Sequence, residues 1–209
     1  MKINLEIVKS SCIYEKQKIT TLNTKELVPK MMFRRRLTEA SRIVIYLTKK
    51  IGYEKGKILY GSSYGEFPIT TGILEDLSNN LRPSPTNFQN SVYNTPVSYL
   101  SIQNSYRDEI TTISHGKLTS YALLKAASIR AKRDEEILIL CCETLFIDGL
   151  KLFNEIEFLE SGVALKLKLT DKKATHSLNN LKLDNSLPKS IAPLIAISKI
   201  ENPIIEVEL

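Results

Sequence analysis

Apolar and polar side chains alternate with a period of two in three stretches of the chain, which is typical of half-buried β-strands. These stretches are residues 2–8, 163–170 and 203–209. In the second stretch Lys166 and Lys168 occupy polar positions, so we expect that strand near a sheet edge or in an antiparallel pairing. Residues 137–142 are apolar without interruption and have charged flanks, which predicts a central parallel strand covered on both faces.

Helical periodicity is clearest between Leu37 and Ile51, where apolar residues recur at spacings of three and four and Gly52 follows as a helix-ending residue. Residues 118–130 carry apolar side chains, from Leu118 to Ile129, around so much of their circumference that we expect this helix to be largely buried. The remaining helical segments are predicted at residues 69–77, 88–104 and 190–200.

These elements place one crossover unit between residues 82 and 144. A turn, a helix, a short strand at 109–114, a buried helix and a second buried strand follow one another, so the two strands should lie parallel in one sheet. Chemistry in such units tends to lie where a strand gives way to a helix, because the helix N-terminus offers free N–H groups. That corner is residues 112–116.

Length and composition describe an ordinary globular protein. The 209 residues are 43% hydrophobic and 25% charged, which predicts a single domain over residues 1–209 with one substantial core. Residues 171–189 are polar and predict a mobile loop. The N-terminus lacks an apolar signal segment, and no stretch approaches the roughly 18 apolar residues of a membrane span, so we expect a cytoplasmic protein without one.

Several classes of site are not expected. Three cysteines, two of them adjacent on a strand, do not suit a disulfide framework, and with two histidines and no Cys-x-x-Cys spacing we expect no metal. The net charge of +6 is spread out and accompanies no nucleic-acid motif, so no nucleic-acid partner is expected. Residues 116–119 do not satisfy the spacing of a phosphate-binding loop. We therefore expect no cofactor.

Several short segments resemble one known family. They are residues 84–88, Ser-Pro-Thr-Asn-Phe; residues 91–94, Ser-Val-Tyr-Asn; residues 100–102; and the alanine-rich residues 122–127. This pattern is similar to the beta-ketoacyl synthase-like N-terminal domain family. The resemblance implies an α/β protein, a three-layer α/β/α thiolase-like half-domain with a mixed, mainly parallel sheet.

The resemblance also indicates candidate catalytic residues. In ketoacyl synthases the strand-to-helix corner carries the cysteine that accepts the acyl group, and Ser114 takes its place here. A serine hydroxyl needs an adjacent general base, and His115 is the neighbour, although consecutive residues at a strand end diverge. Neither of the two histidine motifs of a synthase is found. The small-residue loop at 61–66 resembles a loop near the synthase active centre, but we favour its interpretation as a tight strand-to-helix turn.

A possible carrier-protein site lies on the predicted helix 37–51. Arg35, Arg42 and Lys49 recur at intervals of seven, so they form a basic stripe if the helix extends back to Arg35. The stripe is either a solvated helix face or a dock for acyl carrier protein, whose acidic surface ketoacyl synthases meet with basic side chains.

Candidate interface residues follow from the same resemblance. In the family the segment near residues 88–104 lies at the dimer interface, and the strand before the nucleophile corner pairs antiparallel across a two-fold axis. The residues concerned are Phe88, Tyr93, Tyr99, Ile110 and Ile113. The tyrosines could instead pack within an amphipathic helix.

Three functional hypotheses remain open from the sequence. The first is a non-condensing accessory protein of a fatty-acid-like or polyketide pathway, of the aryl polyene type, that binds acyl carrier protein or a ketoacyl synthase. The second is an acyl-transfer or decarboxylase enzyme that uses Ser114 as its nucleophile. The third is a structural subunit of a homodimer or heterodimer. Complete condensing enzymes contain two thiolase halves, so condensation by this chain alone is not expected.

Overall fold

The structure is a computed structural model that describes residues 1–149 and 153–209. Its strands are β1 (Lys2–Glu15), β2 (Lys57–Gly61), β3 (Ile110–Ile113), β4 (Ile137–Thr144), β5 (Glu160–Leu169), β6 (His176–Ser177) and β7 (Ile204–Glu208). Its helices are α1 (Thr24–Leu27), α2 (Met31–Arg34), α3 (Glu39–Ile51), α4 (Phe67–Ser78), α5 (Pro85–Asn90), α6 (Thr95–Asn104), α7 (Thr119–Arg130) and α8 (Ala192–Ser198).

The described strands form one mixed sheet in the order β3-β2-β4-β5-β1-β7-β6. The pairs β2–β3, β2–β4 and β6–β7 are parallel. The pairs β4–β5, β1–β5 and β1–β7 are antiparallel. The predicted α/β class and mixed sheet are confirmed, and the two strands of the crossover unit both lie parallel to β2. Parallel pairing has a smaller share than expected, because β5 runs antiparallel to both of its neighbours, β4 and β1, and β1 also pairs antiparallel with β7.

Helices cover both faces of the sheet. Leu123 and Leu124 of α7 and Leu194 of α8 pack with one face, whereas Val44 and Leu47 of α3 pack with the other. Strand β4 lies between these two layers and is buried at every position. Its adjacent cysteines, Cys141 and Cys142, belong to opposite cores, as the alternation of a strand requires. The three-layer arrangement therefore agrees with the prediction.

Strand β5 is antiparallel, as one alternative predicted, but it does not lie near an edge of the sheet. It pairs with β4 on one side and β1 on the other. Its small residues allow α3 to approach, since a Cβ at Gly162 would lie 2.4 Å from Ile43 Cγ2 and 2.9 Å from Leu47 Cδ1. Beyond that contact, Lys166 Nζ pairs with Glu136 Oε2 at 3.0 Å. The alternating lysines thus mark the uncovered end of a central strand.

Two other sequence predictions need correction. Strand β1 continues to Glu15, and a register shift between Ile7 and Lys9 interrupts the alternation that would have revealed its second half. In the helix at 118–130, Leu118 and Ile129 are exposed, so the helix is buried along one side rather than around most of its circumference. This segment carries more apolar side chains than the neighbouring elements cover.

The helix beginning near Leu37 ends as predicted. Helix α3 is capped by Thr38, whose Oγ1 accepts a hydrogen bond from the Ser41 N–H, and it ends at Gly52 in a left-handed conformation with φ of 68°. Glycine adopts this conformation without the steric cost of a Cβ. The polar segment 171–189 contains β6, which pairs with β7, and its mobility stays a prediction.

Candidate functional site

Three parallel strands end at the same edge of the sheet. Gly61, the last residue of β2, pairs with Ile113 of β3 and with Cys141 of β4. The loop after β2, the corner at Ser114 after β3 and the end of β4 are therefore neighbours. Ligands of open α/β sheets tend to bind beyond the carboxyl ends of the strands, so this edge is the candidate site.

Glu143 holds this edge together from inside the protein. Its carboxylate is fully buried. Oε1 accepts hydrogen bonds from the Ser63 N–H at 2.7 Å and from Ser190 Oγ at 2.6 Å, and Oε2 accepts from Ser62 Oγ at 2.8 Å and from the Tyr64 N–H at 3.2 Å. Burial raises the pKa of the Glu143 carboxyl, while these hydrogen bonds act in the opposite direction. One side chain thus ties the loop after β2 to the residue before α8.

The loop after β2 is fixed by contacts of its own. The Gly65 N–H donates to Ser62 Oγ at 2.8 Å, and Tyr93 Oη donates to the Ser63 carbonyl at 3.1 Å. Gly65 has φ of +59°, and the Tyr93 ring lies 3.4 Å from the position that a Cβ would take there. A side chain at Gly65 would be strained and crowded. The loop is a tightly packed turn at the candidate site.

The corner at Ser114 is open and sparsely hydrogen-bonded. Ser114 and His115 are both exposed. The His115 N–H donates to Thr119 Oγ1 at 3.0 Å, and a 3-10 turn at Gly116–Leu118 separates the corner from α7. Within residues 1–149 and 153–209, no side chain accepts a hydrogen bond from Ser114 Oγ. The structure therefore does not join Ser114 and His115 as a hydrogen-bonded pair, and their catalytic role stays a prediction.

Two further carboxylates are buried near the start of α3. Glu66 Oε1 accepts a hydrogen bond from Thr38 Oγ1 at 2.6 Å, and Glu160 Oε2 accepts one from the Ile19 N–H at 2.6 Å. Burial raises the pKa of Glu66 to about 7 and that of Glu160 to about 6, and the Coulomb repulsion from Glu39 adds to both shifts. Both groups titrate near neutral pH in the folded protein.

The free energy of unfolding should consequently fall as the pH rises from about 4.5 to about 7. In this interval the folded protein keeps protons on Glu66 and Glu160 that the unfolded chain has lost, because the folded pKa values exceed the ordinary 4.5. Urea unfolding at about pH 5 and about pH 7.5 should differ on the order of 2 kcal/mol. Glu66→Gln should flatten this dependence, and an equal pH dependence in that variant would contradict the assignment.

The three predicted carrier-binding cations do not form one stripe. Helix α3 begins at Glu39, and Arg35 caps the separate helix α2. Arg42 is half-buried and pairs with Glu39, its Nη1 lying 2.8 Å from Oε1. Lys49 is exposed in the last turn of α3. The spacing of seven residues wrongly predicted one continuous helix face, because residues 35–38 form the connection between α2 and α3.

The predicted interface residues lie on or beside an exposed apolar surface. Phe88 is 71% exposed, and Tyr93 is also exposed, while Tyr99 is half-buried and its Oη donates to Asn90 Oδ1 at 3.0 Å. Ile110 and Ile113 are half-buried on β3, which pairs with β2 alone among the described strands and forms an edge of their sheet. The exposed apolar surface also includes α4, which the sequence did not predict as part of it, because no residue of α4 is buried. We call residues 67–94, with Ile102 of α6, the apolar arm.

The profile of the beta-ketoacyl synthase N-terminal domain family matches residues 11–193. The chain belongs to this family. No curated protein sequence matches it. The family assignment confirms the resemblance seen in the sequence, and it brings no evidence on whether Ser114 reacts.

Solved structures share this ketoacyl synthase fold. One is from "Ketosynthase (ApeO) in Complex with its Chain Length Factor (ApeC) from Xenorhabdus doucetiae", with 22% identity, a TM-score of 0.68 and coverage of 95% of this chain and 93% of that chain. Another is "The ishigamide ketosynthase/chain length factor", with 12% identity, a TM-score of 0.62 and coverage of 83% and 64%. At these identities the likeness establishes the fold, which is the thiolase-like fold that the sequence predicted. None of the helices in the described part of the chain is long and apolar enough to cross a membrane.

Sequence reasoning missed Glu143, which accepts four hydrogen bonds at the ends of the parallel strands. Its position, directly after the apolar run of β4, was available as a signal, because a charged residue continuing a fully buried strand needs hydrogen-bond partners. Those partners, Ser62, Ser63 and Ser190, are distant in the chain, so only the folded structure identifies them.

Proposed function

We propose that this protein is a non-condensing partner of a ketoacyl synthase in a polyketide-type pathway. The observation that carries the proposal is the apolar arm, which lies uncovered on a ketoacyl synthase domain that also has an exposed edge strand. Soluble proteins rarely leave large contiguous apolar surfaces exposed unless another molecule covers them. A second subunit of the same fold would cover both features.

The apolar arm is poorly supported by the rest of the chain. Between residues 67 and 94, Asn90 is the one buried residue. The exposed apolar side chains of this segment are Leu74, Leu77, Leu81, Phe88, Val92 and Tyr93. Edge strand β3 adds unpaired backbone donors and acceptors that another strand could meet. A partner that pairs with β3 and packs on the arm would satisfy hydrogen bonds and bury apolar area together.

The solved relatives support the choice of partner. The two structures with the same fold come from assemblies of a ketosynthase with a chain length factor. We infer that this chain takes the partner position in a comparable assembly. The structural-subunit hypothesis is a homodimer or heterodimer subunit without a small-molecule site. In its homodimer form, the second chain would be another copy of this protein.

The proposed absence of condensing activity rests on the corner at Ser114. Ser114 stands where the family resemblance places the acyl-accepting cysteine, and it is exposed without a hydrogen-bonded base among the described residues. A serine hydroxyl in that environment is a weak nucleophile. The enzyme hypothesis, acyl transfer or decarboxylation through Ser114, therefore has less support than the partner hypothesis.

Incubation with malonyl-loaded carrier protein should leave the intact mass of this protein unchanged. Ser114→Ala should behave identically, and Ser114→Cys should not gain condensing activity, because the change supplies a thiol but no histidine to assist it. Intact-mass spectrometry and product analysis check both statements. A stable acyl adduct that disappears in Ser114→Ala would establish the enzyme hypothesis instead.

Carrier-protein binding forms the finer part of the proposal. Of the predicted cations, Arg35 and Lys49 are exposed, and Arg36 is exposed next to Arg35. Met31 and Met32 on α2 are exposed beside them. Cations around a small apolar spot suit an acidic protein surface, because the charges steer the encounter and the apolar side chains add contact area.

The double variant Arg35→Glu/Arg36→Glu should weaken carrier-protein binding by more than about tenfold at low salt. The reason is that it reverses two exposed charges without disturbing the Arg42–Glu39 pair. Surface plasmon resonance at two salt concentrations measures the effect. Lys125→Glu, on α7 across the sheet, is the matched control. Affinity that is the same in the double variant and the control would remove these cations from the proposal.

The partner assignment is tested by coexpression with ketoacyl synthases from the organism that encodes this chain. We expect a stable complex that survives size-exclusion chromatography, with sedimentation giving equal numbers of the two chains. A chain that forms a homodimer and ignores the synthase would support the structural hypothesis. A compact monomer at tens of micromolar that also fails to bind the synthase would refute the proposal.

A further inference from the structure

A cavity of about 350 Å³ lies beside the ends of the parallel strands. The loop after β2, the segment that follows β4 and the residues before α8 line it. From its lining we infer that it binds a small monocarboxylic acid with an apolar body. This inference concerns the chain alone and does not depend on a ketoacyl synthase partner.

Aromatic side chains form the apolar wall of the cavity. The rings of Tyr64 and Phe153, which both line it, meet edge to face with centroids 5.5 Å apart. Phe67 supports both rings from behind, with its centroid 6.3 Å from that of Tyr64 and 5.6 Å from that of Phe153. Ile156 and Leu187 complete the apolar lining. Rings held in this way offer a preformed apolar contact surface.

The charges around the cavity favour a single negative charge. Lys117 and Lys189 line the cavity, are exposed, and form no ion pair with any residue the structure describes. Glu155 also lines it and is likewise exposed. Two cations and one anion leave a surplus of one positive charge, which matches a carboxylate better than a doubly charged phosphate.

The polar floor of the cavity is already organised. Ser63 and Ser190 line it, but the Ser63 N–H and the Ser190 hydroxyl are both donated to Glu143. These bonds fix the floor and keep the buried Glu143 carboxylate away from the ligand. The amide groups of Asn154 and Asn185 remain at the rim as donors for a carboxylate.

The size of the cavity limits the ligand. A volume of about 350 Å³ lies at the lower end of the range of about 300–1,000 Å³ for small-molecule sites. An acid with one aromatic ring, or a flat unsaturated chain of similar length, fits this space. Cinnamate has both features and serves as the probe.

Isothermal titration calorimetry should show saturable binding of cinnamate to the full chain at millimolar concentrations or below. Cinnamamide, which has the same shape without the charge, should bind at least about tenfold more weakly, and acetate should bind more weakly still because it lacks the apolar body. Lys117→Ala/Lys189→Ala should weaken cinnamate binding by about tenfold or more, whereas Glu155→Gln should strengthen it.

Lys173→Ala is the control, because Lys173 is exposed and does not line the cavity. Phe153→Ala tests the apolar wall and should weaken both cinnamate and cinnamamide. Equal affinities for cinnamate and cinnamamide, an unchanged affinity in the double lysine variant, or no saturable binding would each overturn the inference. The double lysine variant changes two exposed side chains, so its circular dichroism and unfolding curve should match those of the unmodified protein.

Discussion

Replacing Glu143 with alanine is expected to lower the free energy of unfolding by at least about 3 kcal/mol. The change leaves two backbone N–H groups, at Ser63 and Tyr64, and two hydroxyls, at Ser62 and Ser190, without their acceptor. Each buried donor that loses its partner costs about 1–3 kcal/mol. Relief from burying the carboxylate offsets part of this cost, which is why the expected loss is smaller than the sum. Urea unfolding monitored by circular dichroism measures it.

Two further variants make this prediction specific. Glu143→Gln keeps one acceptor oxygen but turns an N–H₂ group toward donors, so its loss of stability should be smaller than that of the alanine variant and still measurable. Glu155→Gln removes an exposed carboxylate nearby in the chain and should stay within about 0.5 kcal/mol of the unmodified protein. A loss below about 1 kcal/mol for Glu143→Ala would show that the loop and Ser190 do not depend on this carboxylate.

Replacing Phe88 with aspartate is expected to abolish the complex with the ketoacyl synthase at micromolar concentrations. Phe88 is 71% exposed on the apolar arm, so the folded subunit loses little, whereas the interface would have to bury an unpaired charge. Ile110→Asp should have the same effect on the complex through edge strand β3. Sedimentation velocity of the coexpressed chains, or of the chain alone if it forms a homodimer, measures the loss.

A matched control exists on the opposite side of the sheet. Ile129 of α7 is 70% exposed, almost as much as Phe88, but it lies away from the apolar arm. Ile129→Asp should therefore leave the complex intact. If Ile129→Asp and Phe88→Asp behave alike, general changes in solubility explain the result and the arm is not the interface. If neither disrupts the complex, the partner binds elsewhere.

The apolar arm and the ends of the parallel strands are connected through the fold. Tyr93 of the apolar arm donates a hydrogen bond to the Ser63 carbonyl and packs on Gly65, and Ser63 in turn donates to Glu143. The loop after β2 thus contacts both the arm and the buried carboxylate. Glu143→Ala should for this reason disturb the apolar arm as well as the core. Urea unfolding and sedimentation of the complex should therefore both be measured on this variant.

The sequence alone determined the elements whose signals are local. The uninterrupted apolar run at β4, the three-and-four spacing of α3 and the glycine at its end each lie within one segment. The local sequence is enough to predict a strand buried on both faces, an amphipathic helix and a left-handed helix end. Short segments between residues 84 and 127 also indicated the family, and the profile match confirms it.

Only the tertiary structure decided how those elements meet. The central place of β5, the break between Arg35 and α3, the exposure of α4 and the partners of Glu143 all depend on residues far apart in the chain. Hydrophobic periodicity reports that one side of a segment is apolar, but not whether another element covers it. Strand pairing and buried hydrogen bonds join distant segments, because each backbone group and each buried donor must find a partner wherever the folded chain brings one.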